Sequence, residues 1–449
     1  MLVREYSAGP SLMSVRTVNN HTANKIQGAD RAVHDWYRFV LSFPPHLVRE
    51  YLERYGLGAR HLVLDPFCGT GTTLVECKKL GIASVGVEAN PMACFASRVK
   101  TNWNVDPDEL AGHAQAMADR TLAELEKGGI CDTGIFDQPG NQQRLLKRLS
   151  SEQENLILTN SISPLPLHKV LLLLELLDRF CQESTYDHER LALAKTVVGS
   201  ASNLHFGPEV GVEKPKNDAA VIGPWLESVK AMAEDLRLFS DRREVFSRVF
   251  HADSRQMGGL LKPRSVDFVF TSPPYPNEKD YTRTTRLESV VLGFIRTKSD
   301  LRNLKQILIR SNTRNVYADD DDDRLVENYP EIQRLAGTIE DRRRRLGKTS
   351  GFERLYGRVT KLYFGGMARH LEELKPLLKR GAYLAYVVGD QASYLRVLIR
   401  IGQLLGSIAE SLGYEVTAID LFRTRLATAT KEHLREEVVL LQWKGERKT

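Results

Sequence analysis

Residues that build covalent or metal cross-links are scarce: the chain has five cysteines, Cys68, Cys77, Cys94, Cys131 and Cys181, in 449 residues. Their number is odd and no pair has Cys-x-x-Cys spacing, so neither a disulfide framework nor a zinc site is expected, and no metal is assigned. Long apolar runs are missing too. Leu171 to Leu177 is short and interrupted by Glu175, well below the roughly 20 residues a bilayer-spanning helix needs. The first residues lack the apolar segment of a secretory signal. A reducing cytoplasm is the compartment these absences predict. No internal repeat or low-complexity linker divides the chain, so one compact unit with insertions is expected. Charge bias is weak, with 63 basic and 57 acidic residues, net charge +6 and a pI near 8.9. That permits contact with a polyanion, but a localised groove would have to do the binding.

What is present is a pair of short motifs about 200 residues apart, each directly after a hydrophobic run. His61-Leu62-Val63-Leu64 leads into Asp65-Pro66-Phe67-Cys68-Gly69-Thr70-Gly71-Thr72-Thr73, and Thr72 to Leu80 has helical spacing. The segment reads as strand, tight turn, helix. Glycines suit a backbone that a ligand must approach closely. A second run, Ala83 to Val87, ends in Glu88, about 20 residues on, where a doubly wound sheet places an acid on ribose hydroxyls. A dinucleotide fingerprint would need a third glycine where this chain has Leu74, and a phosphate loop would need lysine after Gly71. Both fit worse than S-adenosylmethionine, whose ribose suits Glu88 and whose methionine arm can lie against the glycine turn. A strand-to-helix turn without a ligand stays open at this point.

Val266-Asp267-Phe268-Val269-Phe270 is a second buried-strand pattern, and it leads into Thr271-Ser272-Pro273-Pro274-Tyr275. Prolines fix the backbone and carry no N–H. The carbonyls before and between them are thus left to accept hydrogen bonds, and Ser272 adds a side-chain acceptor. Such acceptors suit the exocyclic NH2 of cytosine or adenine. Its lone pair is delocalised into the ring, and two acceptors hold its hydrogens in a geometry that favours the lone pair. In-line attack on a sulfonium methyl then follows without a covalent enzyme intermediate. Tyr275 offers a flat face to a base that must leave the duplex stack to be reached. The competing reading is a proline-rich turn that ends a strand.

On these residues the chain resembles the S-adenosylmethionine-dependent amino-methyltransferases of DNA, which modify N4 of cytosine or N6 of adenine. Asp65 to Gly71, with Thr72 beside it, is similar to the family's cofactor loop, Glu88 to its ribose acid, and Ser272-Pro273-Pro274-Tyr275 to its catalytic tetrapeptide. Ser42-Phe43-Pro44-Pro45-His46-Leu47-Val48 resembles the upstream segment that closes over the methionine end, which adds Phe43 and Pro44 to the cofactor set. The resemblance also implies that Asp253 lies at the adenine ring; a helix cap is its simpler reading. A serine at the head of the tetrapeptide is similar to the cytosine-N4 enzymes, whereas adenine-N6 enzymes usually have aspartate or asparagine. Cytosine-N4 is therefore expected first and adenine-N6 second. Cytosine-C5 chemistry would need a cysteine nucleophile, and Cys68 is expected to face the cofactor rather than the base. The implied fold is α/β, a seven-stranded doubly wound sheet of the methyltransferase kind with its last strand reversed. DNA as substrate and a role beside cognate restriction or defence proteins are implied as well.

Residues 1–33 are polar and irregular and read as a flexible arm. Core strands fall in 34–104 and 246–449, split by 105–245, where Asp108–Glu126, Leu145–Leu158, Pro166–Phe180, His188–Val198 and Pro224–Phe239 have helical spacing. By length, that insertion is favoured over a charged one at 300–360 for target recognition. Within it, Ser202 to Pro208 is a polar and aromatic loop that suits DNA or, equally, a scaffold turn. Pro276 to Arg283 continues from Tyr275, which makes Asp280, Tyr281 and Arg283 second-rank candidates at the base pocket. Between 300 and 360, Arg302, Lys305, Arg310, Arg314 and Arg342 to Arg345 stand against Asp319 to Asp323. The usual reading is a solvated helix face; the alternative is a phosphate-tracking surface with the aspartates in an exposed loop. Ala382–Asp390, Gly413–Val416 and Glu437–Trp443 read as strands and Leu395–Leu412 as a helix. Two further classes remain: an RNA amino-methyltransferase, with only about 60 residues before the first strand to hold an RNA-binding module, and a non-catalytic DNA-binding protein, which two intact motifs argue against.

Overall fold

The computed structural model describes residues 27–38, 42–133, 146–207, 209–426 and 433–445. Seven strands share one sheet: β1 (Leu62–Asp65), β2 (Ala83–Glu88), β3 (Ser247–His251), β4 (Val266–Thr271), β5 (Leu378–Gly389), β6 (Tyr414–Leu426) and β7 (His433–Trp443). Their order is β3-β2-β1-β4-β5-β7-β6. The first five run parallel, and β7 is antiparallel to both neighbours. This is the expected doubly wound sheet with its reversed strand.

Helices of two turns or more flank it: α1 (Pro45–Arg54), α2 (Thr72–Lys79), α3 (Pro91–Thr101), α4 (Pro107–Lys127), α5 (Pro164–Asp178), α6 (Tyr186–Thr196), α7 (Ile222–Leu238), α8 (Lys298–Ile307), α9 (Pro330–Arg345), α10 (Gly351–Leu374) and α11 (Ile401–Ser411). Side chains alternate across a strand, and the central strands are apolar on both faces because both are covered. Val63, Phe268, Phe270, Ala385 and Val387 pack with Leu47, Val48 and Tyr51 of α1. Leu64, Val269, Leu384 and Tyr386 pack on the other face with α10 and α11. Strand order reverses between β1 and β4, so their carboxyl ends open the crevice in which such sheets hold ligands.

Within 105–245, α4 to α7 share a core through Trp103, Val170, Leu191 and Trp225 that also reaches Phe95 of α3. Leu145–Leu158 departs from expectation. Residue 145 lies outside the described residues, and only Ser151–Glu154 is helical, closed by a Ser150/Gln153 capping box. Lys147 N–H instead bonds His168 Nδ1 on α5 at 2.9 Å, so a tertiary partner replaces the helical one. Within Ser202 to Pro208, read as a loop, Leu204–Phe206 is instead a strand that pairs antiparallel with Val210–Val212.

Of the expected arm, residues 1–26 lie outside the described set, whereas 28–36 are held in place. Val33 and Trp36 are buried, and Val33 N and Trp36 Nε1 each donate to Asp235 Oδ2 at 2.7 Å. Arg49 bridges Asp30 and Glu76, at 2.7 and 2.5 Å. The helix expected from Leu395 begins at Ile401, because Leu395 and Arg396 take positive φ, 55° and 61°, in a turn closed by the Gln391–Ile399 bridge.

Candidate functional site

β1 and β4 are paired in parallel, Val63 opposite Phe268 and Leu64 opposite Val269, so both motifs emerge side by side at their carboxyl ends. Thr271 Oγ1 donates to Asp65 Oδ1 at 2.6 Å, and Phe67 N–H donates to the same oxygen at 3.1 Å. Two segments about 200 residues apart are thereby joined at the switch point. Asp65 Oδ2 is buried with no partner among the described residues. Burial pushes this carboxyl up to about 6, against the opposing bond from Thr271. An orphaned oxygen of this kind costs about 1–3 kcal/mol and suits a ligand that brings a donor.

The glycine turn divides into two functions. Gly69 (φ 51°) has open space where a Cβ would lie. Gly71 (φ 87°) does not: a Cβ there would sit 2.6 Å from Ser97 Oγ of α3. What approaches Gly71 closely is thus a helix of the protein. Cys68 was expected to face the cofactor; its side chain instead points inward, into a small cluster with Leu74, Cys94 and Val249. Gly86 of β2 makes room for it, since a Cβ at 86 would lie 2.7 Å from Cys68 Sγ. Burial pushes the thiol well up, which leaves it inert at neutral pH. Pro66, Thr70 and Thr72 are buried, and Thr73 Oγ1 donates to Phe270 O at 3.3 Å. Phe67 and Gly69 keep partial exposure, the Phe67 ring lying against His370 at 4.8 Å.

Glu88 ends β2. Its two oxygens accept from Gly69 N–H at 2.8 Å and Asn90 N–H at 2.7 Å, which fixes the carboxylate beside the turn. Burial pushes it up to about 7. Upstream, Pro44 caps the start of α1, and the Phe43 ring meets Phe270, the residue before Thr271, at 5.5 Å.

Asp253 follows β3 at the same edge, yet its carboxylate is taken. Arg255 clasps both oxygens, at 3.1 Å from Nε and 2.7 Å from Nη2, and reaches Asp322 Oδ2 at 2.7 Å through Nη1. The aspartate run was expected in an exposed loop, but Asp322 is buried and also accepts from Arg369 Nε at 2.6 Å. Asp320 takes Arg310 on both oxygens. A notch at Gly365 and Gly366 of α10 makes this possible, since a Cβ on Gly365 would overlap the Asp322 carbonyl.

In the tetrapeptide, Ser272 Oγ donates to Val387 O at 3.0 Å, and Tyr275 OH lies 3.4 Å from both groups. With its proton committed, Ser272 Oγ presents only lone pairs. Among the described residues, no donor occupies the Ser272 or Pro273 carbonyl. Tyr281 OH accepts from Tyr275 N–H at 3.0 Å and so positions the backbone behind the aromatic ring. Asp280 is consumed by Thr282 and by Lys305, the latter at 2.9 Å. Arg283 Nε is buried and unpartnered among the described residues. Just before the hairpin, Asn203 holds the Asn160 carbonyl, Ser163 and Lys216, which is a scaffold role; Pro208 lies outside the described residues.

Sequence reasoning missed the wall opposite Tyr275. Gly389 is paired with Glu436 of β7, and a Cβ on Gly389 would lie 3.4 Å from Tyr275 Cε2 and 3.1 Å from Glu436 Cγ. Glu436 is held by both Arg423 nitrogens, at 2.5 and 2.9 Å, and Arg425 Nη2 caps Asp390 O at 3.1 Å. Burial first, and the Glu436 carboxylate second, push the Tyr275 phenol upward. No motif marks these residues, because antiparallel pairing alone brings them to the site.

Comparison with known proteins follows the same line. A family model described as DNA methylase, of the N6/N4 type, matches residues 15–98. The type II methyltransferase M.BsoBI of Geobacillus stearothermophilus is 23% identical over 440 residues, which cover 93% of this chain and 84% of that protein. M.AvaI of Anabaena variabilis, also a type II methyltransferase, is 22% identical over 444 residues, covering 93% and 85%. A shorter match, 38% over 68 residues, links 15% of the chain to 13% of the type II methyltransferase M.MjaII of Methanocaldococcus jannaschii.

Proposed function

We propose that the chain, which is similar to type II DNA methyltransferases over most of its length, moves a methyl group from S-adenosylmethionine to N4 of cytosine at specific sites in duplex DNA. The observation that carries this reading is the Thr271–Asp65 hydrogen bond, which sets a serine-headed tetrapeptide beside the glycine turn. The turn fits a nucleoside sulfonium: Asp65 has an oxygen to spare for an ammonium, Gly69 leaves space, and Glu88 is already oriented toward the crevice rim. When bound, the cofactor supplies an electrophilic methyl.

The chain's own contribution is to hold the amino group. Ser272 Oγ, its proton given to Val387 O, accepts one N4 hydrogen, and the Pro273 carbonyl accepts the other. Held so, N4 would present its lone pair to the crevice, where the bound cofactor would supply the methyl, and the proton that N4 gives up would pass to solvent. Tyr275 stacks on the extruded base. Asp253 and Arg255 shape the far end of the crevice as an ion pair. A cognate nuclease of the same sequence specificity is the matching partner. The test is to incubate the protein with labelled S-adenosylmethionine and unmethylated genomic DNA, digest to nucleosides and identify the labelled base by mass spectrometry. Label in N4-methylcytosine supports the proposal; N6-methyladenine keeps the chemistry and replaces the base, and no label on DNA removes it.

A further inference from the structure

We propose that the tip of the α9–α10 hairpin, residues 342–354, is a second DNA contact that grips the duplex beside the reacting base. The proposal rests on DNA being the substrate. α10 leads into the amino end of β5, so its own amino end points to the catalytic edge of the sheet. Three contacts fix its height. Gly365 receives the Asp322 turn, Arg358 Nη2 caps Asp320 O at 2.9 Å, and Tyr356 stacks on Tyr394, just beyond the end of β5, at 4.9 Å. Tyr356 is thus level with the loops around the crevice. α9 and α10 cross closely at Gly357, where a Cβ would lie 3.2 Å from Ala336 O. From that crossing α9 runs on to Arg345, and at 1.5 Å per residue the tip stands roughly 10 Å above the crevice loops.

The tip is basic and greasy at once. Between Glu340 and Arg354 there are six basic and three acidic side chains. Glu340 takes Arg343 and one nitrogen of Arg344, whose side chain remains 70% exposed. Arg345, Lys348 and Arg354 are exposed as well. Among them Leu346 and Phe352 are 53% and 54% exposed. Cations at the carboxyl end of α9 offset its macrodipole, which accounts for one turn of charge but not for two large apolar side chains left in water. Arginines on phosphates with an apolar pair against the sugar face of a groove account for both.

The experiment compares wild type with Arg344→Ala/Arg345→Ala/Lys348→Ala and with Leu346→Ser/Phe352→Ser. Duplex affinity is measured by fluorescence anisotropy across a salt series, with cofactor affinity and thermal melting as controls. Each phosphate contact contributes about 0.9 to the salt slope, so the charge variant, which removes three, is expected to lose about 2.7 from it. The apolar variant should bind roughly tenfold more weakly with the slope kept. Cofactor affinity and melting should not move in either. Unchanged slope and affinity in a protein that still binds and methylates DNA overturns the proposal and leaves the activity standing. A wild type that neither binds nor methylates DNA overturns the activity first, and tighter binding to duplex RNA overturns the choice of partner.

Discussion

Gly69 and Gly71 look alike in the sequence, and the structure separates them into an open position and a packing position. Alanine at either must adopt a left-handed backbone, at a cost of about 1–2 kcal/mol. At Gly69 the new methyl meets nothing within 4 Å, so that strain is the whole effect on stability. At Gly71 it meets Ser97 Oγ at 2.6 Å, Cβ at 3.2 Å and Cα at 3.3 Å. The last two belong to α3, which cannot move aside without dragging Phe95 and Val99 from their core, and overpacking of this kind adds about 1–3 kcal/mol. Gly71→Ala is therefore expected to destabilise the fold by about 2–5 kcal/mol in all, with cofactor affinity of the folded fraction kept. Gly69→Ala should lose stability only by the strain of about 1–2 kcal/mol and weaken cofactor binding. Urea unfolding and calorimetric titration measure the two effects separately. Adding Ser97→Ala to Gly71→Ala removes the closest contact and should restore about 1 kcal/mol. Equal stability losses at the two glycines, or no recovery with Ser97→Ala, would refute the reasoning.

With Glu88 in the proposed place at the cofactor ribose, affinity should drop as pH falls through its raised value, about 7, because only the carboxylate is a pure acceptor. At pH 6 about a tenth of the groups are ionised, so affinity should be roughly tenfold weaker than at pH 8, about 1.4 kcal/mol; Glu88→Gln should flatten the profile. For the ligand-free fold the sign reverses: with Asp65 raised from 3.8 to about 6 and Glu88 from 4.5 to about 7, stability present at low pH is lost as pH rises across that window, readable as a melting temperature that falls between about pH 4 and pH 7. Ser272→Ala should cut kcat by roughly a hundredfold or more, the scale for one preorganised hydrogen-bonding group, with cofactor affinity retained; a loss of cofactor binding in a folded variant contradicts the assigned role. Gly365→Ala should expel the Asp319–Val326 segment from its notch on α10, which limited proteolysis detects as new cleavage there, and unchanged resistance would contradict the packing.

Strands whose apolar runs end in a motif are legible in the sequence: Leu62–Asp65, Ala83–Glu88 and Val266–Thr271 each carry their own stop signal. The helices of 105–245 were legible by period, except where a partner distant in sequence took over, as His168 does for Lys147. The candidate site was legible at Asp65, Glu88 and Ser272 because their neighbours in sequence are also their neighbours in space. The inward turn of Cys68 depends on Gly86, the capture of Asp253 depends on Asp322, and the wall at Tyr275 depends on Glu436. Each of these partners is set by sheet register or helix crossing, about which a local pattern says nothing. A charge run likewise shows its sign but not its burial, so Asp322 resembled a solvated residue until the glycine notch that receives it was seen.

β7 follows β6 in the chain yet lies between β6 and β5, and among the described residues β6 has no other strand partner. During synthesis, β1 to β5 can therefore pair as they emerge, while β6 must wait as an unpaired ribbon of 13 residues for the strand that comes after it. Until then two sheet edges are open to foreign strands, and the wall of Glu436 beside the tetrapeptide does not exist. A nascent chain can thus assemble the crevice between β1 and β4 before the wall at Tyr275 is complete.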